Sequence, residues 1–68
     1  MKNYGKVTEY NGFYGKIKDN LGNDYVLLKK NLVDKQIKEN DIVIFEEEKM
    51  QTPELEMNIA RFVRQIKR

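Results

Sequence analysis

Thr52-Pro53-Glu54-Leu55-Glu56-Met57-Asn58-Ile59-Ala60-Arg61-Phe62-Val63-Arg64-Gln65-Ile66 admits two readings, and the choice between them decides the fold. Leu55, Ile59, Phe62, Val63 and Ile66 recur at helical spacing. Thr52-Pro53-Glu54 offers an N-cap, a proline at the first helical position and an acid in the first turn. Periodicity alone therefore predicts a helix over 54–67. The rival is a long loop to about Met57 and then a closing strand, Ile59 to Ile66. A helix here makes a mixed α/β domain; a strand completes an all-β one.

Upstream, the punctuation is that of short strands. Asn11-Gly12, Leu21-Gly22-Asn23-Asp24 and Asn40-Asp41 break the chain into runs of about six residues, the common strand length. The first run is Tyr4 to Tyr10, and Asn11-Gly12 after it is a strong hairpin signal. The second, Tyr14 to Asp19, alternates: Tyr14, Lys16 and Lys18 point one way, Gly15 and Ile17 the other. In the third, Tyr25 to Lys29, the simplest split puts Val26 and Leu28 inside and Tyr25, Leu27 and Lys29 outside. Lys30 to Asn40 reads as a loop with one helical turn. Asp41-Ile42-Val43-Ile44-Phe45 is the clearest strand, β-branched and followed by Glu46-Glu47-Glu48.

Composition narrows the chemistry. Sixty-eight residues make one small domain, which buries only about 60% of its unfolded surface. The chain has no cysteine, histidine or serine. Disulfides, the usual zinc frameworks and a Ser-His-Asp nucleophile are thereby excluded. An enzyme is not expected from so small a set of reactive groups, and no cofactor or metal is implied. Three adjacent acids without a ligand loop are poor grounds for a cation site. No apolar run approaches the length of a membrane span, and the first residues lack a signal-peptide core, so a soluble cytoplasmic protein is expected.

The net charge of +2 hides segregation: residues 1–38 carry +4, 39–56 carry −6 and 57–68 carry +4. A basic face and an acidic face follow as an expectation. Within the basic half, Tyr10-Asn11-Gly12-Phe13-Tyr14-Gly15-Lys16-Ile17 packs three aromatics, two glycines and a lysine into eight residues. Flat rings next to cations suit unstacked bases and phosphate, and glycine permits a tight turn or close approach of another molecule.

In this order the pieces resemble a cold-shock domain of the OB-fold class. Gly5-Lys6-Val7-Thr8-Glu9-Tyr10-Asn11 resembles the family's opening Gly-x-Val-Lys-Trp-Phe-Asn. Tyr14-Gly15-Lys16-Ile17 resembles the Phe-Gly-Phe-Ile of its first ribonucleoprotein motif, and Asp24-Tyr25-Val26-Leu27-Leu28-Lys29 stands in the place of Asp-Val-Phe-Val-His-Phe. Lys38-Glu39-Asn40-Asp41-Ile42-Val43-Ile44-Phe45-Glu46 looks like the fourth-strand pattern. Asn58-Ile59-Ala60-Arg61-Phe62-Val63 lies where the closing strand is placed. The resemblance covers nearly the whole chain and favours a strand at the C-terminus. It implies a single-domain, five-stranded antiparallel OB-type barrel that binds single-stranded RNA or DNA.

The departures thin the stacking surface. The family's Trp is Glu9, the second Phe of the first motif is Lys16, and the His is Leu27 or Leu28. The expected nucleic-acid set is Tyr10, Phe13, Tyr14 and Tyr25 for stacking, with Lys6, Lys16, Lys18 and Lys29 for phosphate. A one-residue slip in the third strand would turn Tyr25 inward. Arg61 and Arg64 either extend this groove or pair with Glu46 to Glu48. In the cold-shock pattern Val43 and Phe45 face the core and the alternate positions are polar, whereas here they are Ile42 and Ile44. That face is either covered by the loop or C-terminal residues or open to a partner chain or second copy. Glu46 to Glu48 would then guard it against edge aggregation. The alternative function is thus a small protein-interaction or dimerisation module through Ile42 and Ile44.

Overall fold

The computed structural model describes residues 2–66. Five strands, β1 (Lys2–Tyr10), β2 (Tyr14–Asp19), β3 (Asp24–Leu28), β4 (Ile42–Gln51) and β5 (Glu56–Gln65), close into a barrel in the order β1-β2-β3-β5-β4. This is an all-β, OB-type barrel. Among the described residues of 54–67 there is no helix; β5 takes Glu56–Gln65, and residue 67 lies outside the described residues.

Four pairings are antiparallel and one, β3–β5, is parallel. The parallel pair is a consequence of closure. Strand directions cannot alternate all the way round an odd-numbered ring. β1, β3 and β5 run one way, β2 and β4 the other, so β3 and β5 meet parallel. The barrel is therefore mixed rather than wholly antiparallel.

The core holds Val7, Ile17, Tyr25, Leu27, Val43, Phe45, Ala60 and Val63 from the strands. Leu32 and Ile37, from the segment between β3 and β4, are buried with them. That segment opens with a single 3-10 turn, Lys29–Asn31, and Leu32 bridges to Val63.

β3 takes the opposite parity to the one its sequence suggests. Tyr25 and Leu27 are buried, while Val26 and Leu28 face outward and are half-covered. Tyr25 packs edge-on against Phe45, with ring centroids 4.8 Å apart. Its hydroxyl reaches the Asp19 carboxylate at 3.1 Å, so the ring is buried without orphaning its polar end.

β4 and β5 form a longer hairpin than expected. β4 continues through Glu46–Glu48 to Gln51, and Met50 pairs with Met57. Thr52 does cap a turn, but a four-residue one. The Leu55 N–H donates to Thr52 Oγ1 at 2.9 Å, and the Thr52 N–H donates to the Leu55 carbonyl at 2.7 Å. Near the barrel, β5 bulges: Phe62 and Val63 together stand opposite Phe45, between the pairs Glu46–Arg61 and Ile44–Arg64. Val63 is buried, whereas Phe62 takes φ 53° and faces solvent.

Candidate nucleic-acid interface

The β1–β2 loop is built by Asn11. Its Oδ1 accepts from the backbone N–H groups of Phe13 (2.9 Å) and Tyr14 (3.0 Å). Its own N–H donates to the Tyr14 carbonyl at 3.1 Å. Gly12 supplies the positive φ of 97° that the turn needs. The result presents two neighbouring rings to solvent, Phe13 at 70% and Tyr14 at 61% exposure.

Lys29 joins them from the end of β3. Its N–H donates to the Phe13 carbonyl at 3.0 Å, and its ammonium lies 5.5 Å from the centroid of the Phe13 ring. Along β2, Tyr14, Lys16 and Lys18 share the outer face, each opposite an outward residue of β3: Leu28, Val26 and Asp24. Phe13, Tyr14, Lys16, Lys18 and Lys29 thus share the β2–β3 face and its flanking loop. In OB barrels that face and the β1–β2 and β4–β5 loops are where oligonucleotides are bound.

Two of these lysines have acidic neighbours. Lys16 Nζ is 3.7 Å from Glu9 and Lys18 Nζ is 3.9 Å from Asp24, both at the surface. Exposed pairs of this kind contribute little. Lys6 is exposed on β1 with Lys18 as its cross-strand partner. It adds positive potential at the edge of the face.

Tyr25 is not a surface stacker: it is 5% exposed and belongs to the core. Burial, the hydrogen bond to Asp19 and the negative charges of Glu47 and Asp19 push its hydroxyl up to about 12. Tyr10 is half-buried and packs against the core, so only part of its ring is open to a base. Gly15 is not a point of ligand approach. A Cβ there would lie 2.0 Å from the Glu9 carbonyl oxygen, because β1 bulges against β2 at this level.

Asp19 organises the β2–β3 turn. Its carboxylate accepts from the N–H groups of Leu21 (2.9 Å) and Asn23 (2.8 Å), the Asn23 amide and the Tyr25 hydroxyl. Desolvation opposes ionisation, but these donors outweigh it and hold the carboxyl below its ordinary value.

The segregated charge of the sequence is largely brought together by the hairpin. The acidic end of β4 lies alongside the basic stretch of β5, and Arg61 is ion-paired with Glu48. Arg61 therefore does not extend the groove as a free cation; Lys67 and Arg68 lie outside the described residues. Among the described residues no three acids converge into a metal site. Glu46, Glu47 and Glu48 project to alternate faces of their strand.

One part of the face was not legible in the sequence. Val26 and Leu28, outward and half-covered on β3, adjoin Ile59, the parallel partner of Val26 on β5, which is itself buried at 6% exposure. Leu28, Ile59 and Met50 line a shallow depression with Lys30 and Arg61. The signal for it lay in β3, whose two faces are both apolar.

Ile42 and Ile44 sit elsewhere. They project outward from β4 opposite Lys6 and Tyr4 of β1, Ile42 exposed and Ile44 half-covered. No family model matches the chain, and no curated protein is significantly similar to it.

Proposed function

We propose that the protein binds single-stranded RNA or DNA, with little sequence preference, across the outer face of β2 and β3. The observation that carries this is the exposed pair Phe13 and Tyr14, held outward by Asn11 and bordered by Lys29, Lys16 and Lys18. Phe13 and Tyr14 each stack one base. Lys29 reinforces Phe13 and reaches phosphate, and Lys16 and Lys18 exchange Glu9 and Asp24 for the nucleic-acid backbone. Lys6 acts at longer range. No cofactor, metal or catalytic step is required, and the setting is cytoplasmic.

This is a cold-shock-type mode with fewer rings. Two stacks at ~1–3 kcal/mol each, plus a few phosphate contacts, give affinities on the order of micromolar or weaker. Neutralising three phosphates gives a slope of about −2 in log K against log salt for a single strand.

The test is an amide chemical-shift titration with a short pyrimidine oligonucleotide at low and physiological salt. Shifts centred on residues 11–18 and 26–29 that persist at physiological salt support the reading. Unchanged affinity in Tyr14→Ala and Lys16→Glu would sink it.

A further inference from the structure

The β1, β4 and β5 side of the barrel carries a second surface, which adjoins the first at a depression lined by Tyr4, Lys6, Lys18 and Ile42. On β4, Ile42, Ile44 and Glu46 project outward in a row. Tyr4 of β1 and Arg64 of β5 are the cross-strand partners of Ile44, and Lys6 is that of Ile42. Phe62 completes the patch, lining one depression with Ile44, Glu46 and Arg64. Tyr4 is 59% exposed, Ile42 45% and Phe62 56%.

Two features separate this patch from scattered surface apolar residues. The first is backbone geometry. A bulky residue at positive φ is uncommon and unfavourable, yet Phe62 is held there by the bulge with its ring turned to water. The bulge aims the ring into the patch rather than into the core. The second is charge. Glu46 lies on one side of Ile44 along β4, and Arg64 lies beside Ile44 on β5. Among the described residues neither forms an ion pair.

We infer that this face binds a second copy of the chain in a two-fold, orthogonally packed sheet dimer. A two-fold axis lying between two such faces, diagonal to the strands and passing over Ile44, crosses the two sheets at near right angles, one of the ordinary sheet-packing modes. It superposes the β4 direction of one copy on the cross-strand direction of the other. Ile44 then meets the partner's Ile44, and Tyr4 meets the partner's Ile42. Phe62 meets the partner's Phe62. Glu46 meets the partner's Arg64, twice by symmetry. Self-complementarity of this sort is what an isologous interface requires. Two like-charge approaches oppose the dimer: Lys6 against the partner's Lys6 at the rim, and Arg61, cross-strand from Glu46 and stacked on Phe62, against the partner's Arg61, whose charge Glu48 offsets. Three short strand segments cover only roughly half of the ~800 Å² per partner of a standard interface, so the dimer is weak and concentration-dependent. Phe13, Tyr14, Lys16 and Lys29 lie away from the interface, whereas Lys18, which lines one depression with Tyr4 and Ile42, borders it.

Sedimentation equilibrium from about 20 µM to about 1 mM covers the affinity range of such an interface. The wild type should pass from monomer to dimer over this range. Glu46→Arg and Arg64→Glu alone should each weaken association by about tenfold or more. An equimolar mixture of the two should recover it, because the arginine introduced in one copy then faces the glutamate introduced in the other. Thermal melts of the separate variants confirm that both fold. A wild type that stays monomeric throughout overturns the inference, as does a mixture no better associated than either variant alone.

Discussion

The Tyr25 hydroxyl donates to Asp19 Oδ2 at 3.1 Å, joining the buried wall of β3 to the turn that precedes it. The same carboxylate accepts from the backbone of Leu21 and Asn23, so one ionised group ties the turn to the core. Tyr25→Phe keeps the ring against Phe45 and removes only this bond to a charged acceptor. It should destabilise by about 1.5–3 kcal/mol in urea melts at neutral pH.

The two groups also set opposite pH limits. Tyr25 is raised from 10.0 to about 12 in the folded protein. Its contribution is fully present below pH 10 and is lost as pH rises through about 12. Asp19 is depressed below 3.8, so its contribution is present above that value and lost as pH falls through the lower folded value. The stability advantage of wild type over Tyr25→Phe should therefore shrink above about pH 10. Urea midpoints measured at about pH 8 and about pH 11 check this; a constant difference contradicts it.

The sequence was most readable where alternation was clean. β2, with Gly15 and Ile17 inward and Tyr14, Lys16 and Lys18 outward, follows the expected pattern. So do Val43 and Phe45 of β4, which are buried on one face of the strand. β3 was opaque because Tyr25 and Leu27 on one face and Val26 and Leu28 on the other are all apolar; parity was decided by the hydroxyl finding Asp19. The helical stripe in the C-terminal stretch is a by-product of the bulge. Ile59 lies on the face opposite Ala60, Phe62 is displaced outward, and of the bulged pair only Val63 enters the core, so spacings of three and four arise in a strand. The distal hairpin was hidden for another reason. Beyond Phe45, β4 carries mostly charged and exposed residues, and the buried pair facing it on β5, Ile59 and Ala60, is adjacent in sequence, so neither strand shows clean alternation. For the site, the aromatic loop and its lysines were visible. That Tyr25 is core and that Arg61 is paired with Glu48 depended on long-range contacts.

Glycines 12 and 15 should respond differently to alanine. At Gly15 a Cβ would strike backbone, the Glu9 carbonyl oxygen at 2.0 Å and Tyr10 Cα at 2.8 Å. Relief requires β1 and β2 to separate, so Gly15→Ala should cost about 2 kcal/mol or more, or prevent folding. At Gly12 nothing lies within 4 Å, and only the positive φ resists substitution. Gly12→Ala should cost about 1 kcal/mol. Equal effects of the two in denaturant melts would contradict the strand-contact explanation.

Asn58 Oδ1 is buried without a hydrogen-bond partner among the described residues. A buried acceptor left unpaired carries a desolvation penalty of about 1–3 kcal/mol, which an apolar residue of similar shape avoids. Asn58→Leu should therefore leave stability unchanged or raise it, visible as an equal or higher melting temperature. A fall of several degrees would show that the carboxamide makes a compensating interaction.

Phe13 and Tyr14 should be separable from the core tyrosine by binding alone. Phe13→Ala and Tyr14→Ala remove exposed rings, so each should leave stability within about 0.5 kcal/mol. Each should weaken binding to a pyrimidine oligonucleotide by ~1–3 kcal/mol, roughly fivefold to over a hundredfold. Tyr25→Phe, which alters a side chain buried inside the barrel, should leave that affinity unchanged wherever the protein is folded. Lys16→Glu places an acid beside Glu9 and should weaken binding more at low salt than at high salt, flattening the salt slope by about 0.7. Fluorescence anisotropy across a salt series reads all four variants. The decisive contrast is between Tyr14→Ala and Tyr25→Phe: if both leave affinity intact, the outer face of β2 and β3 is not where nucleic acid binds.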